Sequence, residues 1–164
     1  MYFLVSLLGL MAATAMFLNS RQEMRLRQEE AIRRINTTLI LKLPRPMTLQ
    51  GPGFIPGTRL QEVPFPLWSC SYMLGRRRIR CDLNLSPFDP LKTLSREHAL
   101  LTFDGSNFRI TPVLNHKTGR YSVITVNGAP VGPDGQAIGY EDMVGLGSSL
   151  RFYLTPATEQ GGSQ

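Results

Sequence analysis

Three short motifs carry side chains that could hold an anion together. In chain order they are Gly75-Arg76, Ser95-Arg96-Glu97-His98 and Asn127-Gly128. An arginine guanidinium makes short, charge-assisted hydrogen bonds to phosphate oxygens, a serine hydroxyl can donate another, and an asparagine amide can both donate and accept. Brought together from separate turns, these groups could bind a doubly charged phosphate ester and the peptide backbone beside it.

Short apolar strands separated by turns surround these motifs. We predict strands at residues 37–43, 67–74, 83–85, 99–103, 108–112, 121–126, 129–131, 143–146 and 150–154. The turns between them include Asp104-Gly105 and Asn127-Gly128, which favour the left-handed backbone conformations that tight hairpins need. Many short strands with such turns are typical of a β-sandwich, so the predicted fold class is all-β.

The motifs, in order and among strands, resemble the forkhead-associated (FHA) domain. The resemblance is carried by LGRRRIRCDLNL, SREHALL, TVNG and MVGLGSSLRF, over roughly residues 67–154. It implies an antiparallel β-sandwich whose loops at one end grip phosphothreonine. The implied domain spans residues 37–156, with its core at 67–154 and a proline-rich connection at 44–66.

The resemblance also implies which residues bind the phosphopeptide. They are Arg76, Ser95, Arg96 and Asn127. Arg76 and Ser95 would contact phosphate oxygens, and Arg96 would add charge or reach the peptide backbone. Asn127 would bond main-chain groups flanking the phosphoresidue. Arg76 could instead be an ordinary solvated arginine in a basic loop.

Three further residues would shape the binding loops without touching the ligand. His98 is expected to bond within the loop that presents Ser95, while Gly75 and Gly128 would supply backbone freedom. Simpler explanations exist here as well. Ser95 could bond its own backbone in a turn, and Asn127-Gly128 would suit a tight hairpin whether or not a ligand exists.

Two departures from the family pattern bear on binding. Val126 precedes Asn127 at a position where some members use a hydroxyl that helps to bind phosphate, and valine cannot donate there. Residues 115–120 form a longer connection than the family norm and carry His116 and Lys117. This connection lies close in sequence to the recognition strand and could alter access to the site.

The N-terminal segment is predicted to be a membrane anchor. Residues 2–18 contain no charged side chain, and five arginines follow at residues 21–34. A membrane-spanning helix needs about 20 apolar residues, with about 17 as the short limit. The positive-inside rule places the C-terminal side in the cytoplasm and the N-terminus outside. A cleaved export signal with a cleavage site near residues 12–15 is the alternative.

Composition adds a preference for anionic partners. The chain has 164 residues, which fits one domain plus extra segments. Its net charge of +6 favours anionic partners. After the anchor at residues 1–18, residues 19–36 are predicted to form a basic juxtamembrane helix, and residues 157–164 a disordered tail. Cys70 and Cys81 lie outside any C-x-x-C pair, and the chain has only two histidines. No metal, cofactor or catalytic residue is therefore predicted.

These observations favour a membrane-anchored adaptor without catalytic activity. It would recognise a threonine-phosphorylated partner, the product of a Ser/Thr kinase, at the cytoplasmic face. The alternative is a phosphate-independent, structural FHA-like subunit of a membrane complex such as a secretion apparatus. Assembly into a homo- or hetero-oligomer is left open. Nucleic-acid binding is disfavoured because no aromatic residues interleave with the arginine clusters.

Overall fold

The computed structural model describes residues 36–48 and 59–157. They form a short 3₁₀ helix (Ser86–Phe88) and the strands β1 (Thr37–Thr48), β2 (Arg59–Leu67), β3 (Ser71–Gly75), β4 (Leu83–Asn84), β5 (Ala99–Phe103), β6 (Phe108–Pro112), β7 (Leu114–Asn115), β8 (Arg120–Tyr121), β9 (Ile124–Val126), β10 (Ala129–Pro130), β11 (Gln136–Ile138), β12 (Val144–Leu146) and β13 (Leu150–Pro156).

Several predicted segments lie outside these described ranges. They are the anchor, nearly all of the juxtamembrane helix, most of the C-terminal tail and the middle of the proline-rich connection. Within the described ranges, no helix has the length and apolar character needed to cross a bilayer.

The strands form two sheets and a small hairpin. The six-stranded sheet has the order β10-β9-β12-β13-β1-β2 and is antiparallel throughout. The five-stranded sheet has the order β11-β6-β5-β3-β4 and is antiparallel except for the β3–β4 pair. Strands β7 and β8 form a separate hairpin. The structure confirms the predicted all-β sandwich.

Alternating apolar residues build one core between the sheets. In β1, Leu39 and Leu41 are fully buried, and in β13 Phe152 and Leu154 are buried as well. Successive strand residues point to opposite faces, so every second residue of these strands enters the core. Burying each such side chain contributes about 1.5–3 kcal/mol.

The proline-rich stretch expected to connect early strands is itself partly strand. Pro64 and Pro66 lie in β2, which is the edge of the six-stranded sheet and has a neighbour on one side only. An edge strand tolerates proline, which lacks an N–H, because its outer side faces no neighbouring strand and makes no ladder hydrogen bond. β1 continues past Lys42, where its pairing with β13 ends, and its register with β2 shifts before Met47.

Strand directions separate the two ends of the sandwich. Thr37 at the start of β1 pairs with Pro156 at the end of β13. The other end of β13 follows a turn in which the Ser149 hydroxyl lies 3.0 Å from the Thr93 hydroxyl. Since β13 has seven residues, these two ends lie roughly 20 Å apart at about 3.3 Å per residue.

Candidate functional site

A cleft opens where three strands of the five-stranded sheet end. β5 is antiparallel to both β3 and β6, so the end of β3, the start of β5 and the end of β6 meet. Leu74 pairs with Ala99, and Ala99 pairs with Pro112. Beyond the strands, the Arg76 N–H donates to the Ser95 carbonyl at 3.3 Å. Strand pairing therefore brings the first two sequence motifs together.

Positive charge predominates around the cleft. Its volume is about 460 Å³, and it is lined by Arg76, Arg77, residues 93–97 and residues 113–117. The charged side chains in this lining are Arg76, Arg77, Arg96 and Lys117 against Glu97. Such an excess attracts anions. In residues 36–48 and 59–157, no cluster of histidine, cysteine or carboxylate side chains is arranged to hold a metal ion.

The guanidinium of Arg76 is fixed by its Nε atom. Nε donates to the Leu94 carbonyl at 2.6 Å and lies 3.8 Å from Oδ2 of Asp89. Its two NH₂ groups have no partner among the described residues. A planar guanidinium held in this way can bond two phosphate oxygens without first losing side-chain freedom.

Asp89 forms a buried support beneath Arg76. Its carboxylate accepts the Thr93 N–H and hydroxyl at 2.9 Å each and the Leu94 N–H at 2.8 Å. Burial alone would raise the pKa of Asp89, but the Leu94 and Thr93 donors and the Arg76 charge hold it below its ordinary value. Asp89 is thus ionised at neutral pH and fixes both the loop and the arginine. No sequence motif pointed to it.

Gly75 is needed because two backbones approach closely. A Cβ at this position would collide with the Arg96 carbonyl and would lie 3.0 Å from the Cys81 sulfur. The expected role of Gly75 was backbone freedom, whereas the structure shows a steric requirement. The Cys81 thiol donates to the same carbonyl at 3.1 Å. Burial is the main cause that raises the pKa of Cys81, so the thiol keeps this proton.

His98 holds the loop that presents Ser95. The imidazole is 2% exposed. Its Nδ1 accepts the Ser95 N–H at 3.0 Å, and its Nε2 lies 3.1 Å from the Val123 carbonyl. Because one ring nitrogen accepts and the other must donate, the ring is neutral with hydrogen on Nε2. Burial lowers the pKa of His98 against the opposing effects of Val123 and Asp89, which keeps this form at neutral pH.

Ser122 belongs to the site but was missed by sequence reasoning. Its hydroxyl donates to Ser95 Oγ at 3.1 Å. The Ser95 hydroxyl hydrogen therefore remains available for another acceptor. The sequence predicted one strand at residues 121–126, but the structure divides it into β8 and β9 with Ser122 between them. A single serine in a strand pattern carries no signal of its own.

Asn127 lies away from the cleft, at the far end of β9. It occupies the β9–β10 turn with φ 51°, followed by Gly128 with φ 86°. Its Nδ2 donates to Asp142 Oδ1 at 2.8 Å, and its Oδ1 accepts the Met143 N–H at 2.9 Å. The structure thus gathers the other three predicted binding residues but not Asn127, whose amide is used within the turn.

We expect Asn127→Ala to change stability and leave binding intact. The substitution removes both amide bonds and places alanine at a positive φ, so the free energy of unfolding should fall by about 1–2 kcal/mol. Denaturant unfolding and phosphothreonine-peptide titration would measure the two effects. Asn127→Gly is the matched control, since it removes the amide but tolerates the backbone. A tenfold loss of affinity in a folded Asn127→Gly protein would instead place Asn127 in contact with the ligand.

Arg96 supplies positive charge to the lining of the cleft. Among the described residues, no carboxylate lies within 4.0 Å of its guanidinium. Glu97 is shared by two other arginines: Arg77 at 3.5 Å and Arg80 at 3.7 Å. Exposed pairs of this kind add little stability. The arrangement therefore leaves Arg96 available to an incoming anion.

Comparison with solved structures gives several similar chains at low sequence identity. The yeast Dun1 FHA domain, solved with a doubly phosphorylated peptide, is 18% identical with a TM-score of 0.46 and covers 78% of this chain and 82% of its own. Mycobacterium tuberculosis EmbR, solved with a low-affinity phosphopeptide, is 17% identical with a TM-score of 0.48. The match covers 61% of this chain and 23% of the EmbR chain. The cytoplasmic domain of the type III secretion sorting-platform protein PscD from P. aeruginosa is 14% identical with a TM-score of 0.48 and covers 72% and 79%.

The family assignment rests on a sequence-family match. No curated protein sequence matches the chain. The model of the FHA domain, however, matches residues 72–147. This range contains every residue that lines the cleft. Residues 72–147 of this chain are therefore an FHA domain.

Proposed function

We propose that the cleft binds a phosphothreonine side chain of a partner protein. FHA domains are interaction modules that bind phosphopeptides, and the cleft has the groups this requires. The observation that carries the proposal is the guanidinium of Arg76, which is fixed through Nε at 2.6 Å from Leu94 O. Both of its NH₂ groups lack a hydrogen-bond partner within residues 36–48 and 59–157 and can bond a ligand. Beside it, Ser95 already accepts a hydrogen bond from Ser122 and can donate its own hydrogen.

Each cleft residue would have a distinct task. Arg76 would bond two phosphate oxygens, and Ser95 would donate to a third. Arg96 would add charge at the rim, while His98 and Ser122 would orient Ser95. Phosphorylation gives threonine between about 1.5 and 2 negative charges and three strong acceptor oxygens, so binding would switch with the action of a Ser/Thr kinase on the partner. The proposed role is that of an adaptor and includes no catalytic step.

The membrane location stays a prediction. It depends on residues 2–18, which lie outside the described ranges. We propose that this segment anchors the chain with its N-terminus outside and the FHA domain in the cytoplasm, where Ser/Thr kinases act. The adaptor would then recruit its phosphorylated partner to the bilayer.

Paired peptides test the proposed function. We expect the full chain to bind members of a degenerate phosphothreonine library at least about 100-fold more tightly than the unphosphorylated twins, since charge-assisted hydrogen bonds contribute about 1.5–3 kcal/mol each. Fluorescence anisotropy at fixed ionic strength would measure both pools. Equal signals from the two pools would reject phosphate recognition and favour the structural-subunit alternative.

A further inference from the structure

The β7–β8 hairpin forms a wall of the cleft that phosphate binding alone does not explain. The hairpin pairs Leu114 with Tyr121 and Asn115 with Arg120. Its residues 114–117 line the cleft together with Arg76 and Ser95. The sequence marked residues 115–120 as a longer connection, and the structure shows that this connection is an ordered element of the site.

Three hydrogen bonds to Asn115 hold the tip of the hairpin. Asn115 Oδ1 accepts the Lys117 N–H at 3.0 Å, and the Asn115 carbonyl accepts the N–H groups of Thr118 at 3.1 Å and Gly119 at 2.8 Å. Gly119 has φ 63°, which suits a glycine. A backbone bonded in this way loses little backbone entropy when a ligand binds beside it.

The hairpin carries positive charge that no described carboxylate neutralises. Lys117 lines the cleft, and Arg120 lies on the adjoining strand β8. Across the part of the chain that the structure describes, neither side chain has a carboxylate within 4.0 Å. The single carboxylate in the cleft lining, Glu97, is already shared by Arg77 and Arg80. The cleft therefore presents more positive charge than one phosphate requires.

We infer that the β7–β8 hairpin is a second recognition element, which selects phosphothreonine segments carrying further negative charge beside the phosphothreonine. The inference rests on the proposed function, because the phosphothreonine places the peptide in the cleft. Lys117 is the principal contact, and Arg120 adds to the positive electrostatic potential of the hairpin. The shared ligand chemistry is an anionic group, which an aspartate, a glutamate or a second phosphate can supply. A neutral segment gains nothing from the hairpin.

The test compares peptide series against matched charge variants of the full chain. Each peptide has one central phosphothreonine flanked on both sides by alanine, by glutamate or by a second phosphothreonine. The variants are Lys117→Gln and, as a control, Arg151→Gln. Arg151 is exposed on the outward face of β13, so its loss changes the net charge equally without touching the cleft. The quantity measured is the ratio of affinities between charged and alanine peptides.

We expect glutamate to tighten binding about three- to fivefold, since an exposed ion pair contributes at most about 1 kcal/mol. The second phosphate, with its greater charge, should exceed glutamate. Lys117→Gln should reduce both ratios to less than about twofold, whereas Arg151→Gln should preserve them. The ratios should also shrink as salt is raised from about 0.05 to 0.5 M.

The outcomes separate the two proposals. If alanine-flanked phosphothreonine binds tightly and acidic flanks add nothing, the hairpin inference is overturned while phosphothreonine recognition stands. A preference for acidic flanks that survives in Lys117→Gln also overturns it. If unphosphorylated glutamate peptides bind as tightly as phosphorylated ones, the proposed function fails and the inference fails with it.

Discussion

Arg76→Ala is expected to weaken the binding of a phosphothreonine peptide by about 100-fold, close to 3 kcal/mol. Arg76 lines the cleft, and the substitution removes its two NH₂ groups, which have no partner among the described residues. Asp89 keeps its Thr93 and Leu94 donors, so the loop should remain folded. Isothermal titration with a tight-binding phosphopeptide would give the change, and a thermal melt would confirm that the domain is intact.

Arg76→Lys separates charge from geometry. Lysine keeps the charge but cannot bond the Leu94 carbonyl through Nε and two phosphate oxygens at once. We expect it to recover part of the affinity and to remain about tenfold weaker than the wild type. Arg151→Ala, far from the cleft, should bind normally. If Arg76→Ala binds within about threefold of the wild type, phosphate is not held at this arginine.

His98→Ala is expected to lower the free energy of unfolding by about 3 kcal/mol. The imidazole accepts the Ser95 N–H and donates to the Val123 carbonyl, which also accepts the Gly147 N–H at 3.0 Å, so the Ser95 N–H is the group that loses its partner. Losing a partner costs a buried polar group about 1–3 kcal/mol, and the vacated space adds a cavity cost. Urea unfolding would measure the change. His98→Asn should recover part of it, because an Asn oxygen can accept the Ser95 N–H without reaching Val123.

The same histidine should make stability depend on pH. Burial lowers the pKa of His98 from its ordinary value of 6.5. The unfolded chain then binds a proton at a higher pH than the folded chain does, so stability increases with pH in this range. The contribution is complete above pH 6.5 and is lost as the pH falls below it. His98→Asn should lack this decline, while the exposed His116→Ala should retain it. An identical decline in His98→Asn would assign it to other groups.

Local sequence patterns were enough to predict the sandwich and the part of the site that contains Arg76 and Ser95. Turn residues such as Asp104-Gly105 mark strand ends wherever they occur, so the all-β class follows from short-range patterns. Arg76 directly follows β3, and Ser95 lies four residues before β5, which pairs with β3. Their proximity therefore follows from antiparallel order. The prolines at 64 and 66 predicted a connection, whereas the structure places them in β2. The sequence could not show this, because the edge position that tolerates them is a tertiary property.

The remaining site residues depend on the path of the chain in space. An Asn-Gly pair makes a hairpin turn with or without a ligand. The residue types of Asn127-Gly128 could therefore not show that this turn lies at the far end of β9, away from the cleft. Ser122 reaches Ser95 only because the β7–β8 hairpin returns the chain to the cleft. Asp89 acts through burial beneath Arg76, which no spacing in the sequence reports.

The pairing of Thr37 with Pro156 has a consequence for how the domain is mounted. Asn36 and Ala157, which are the first and last described residues, lie side by side at the end of the sandwich opposite the cleft. A tether at that end therefore points the ligand-receiving surface outward, away from whatever the tether is fixed to. Fusion or surface attachment through either flanking segment should accordingly leave the cleft open to a partner. The length of the flanking segment would set how far from the attachment point the domain can bind that partner.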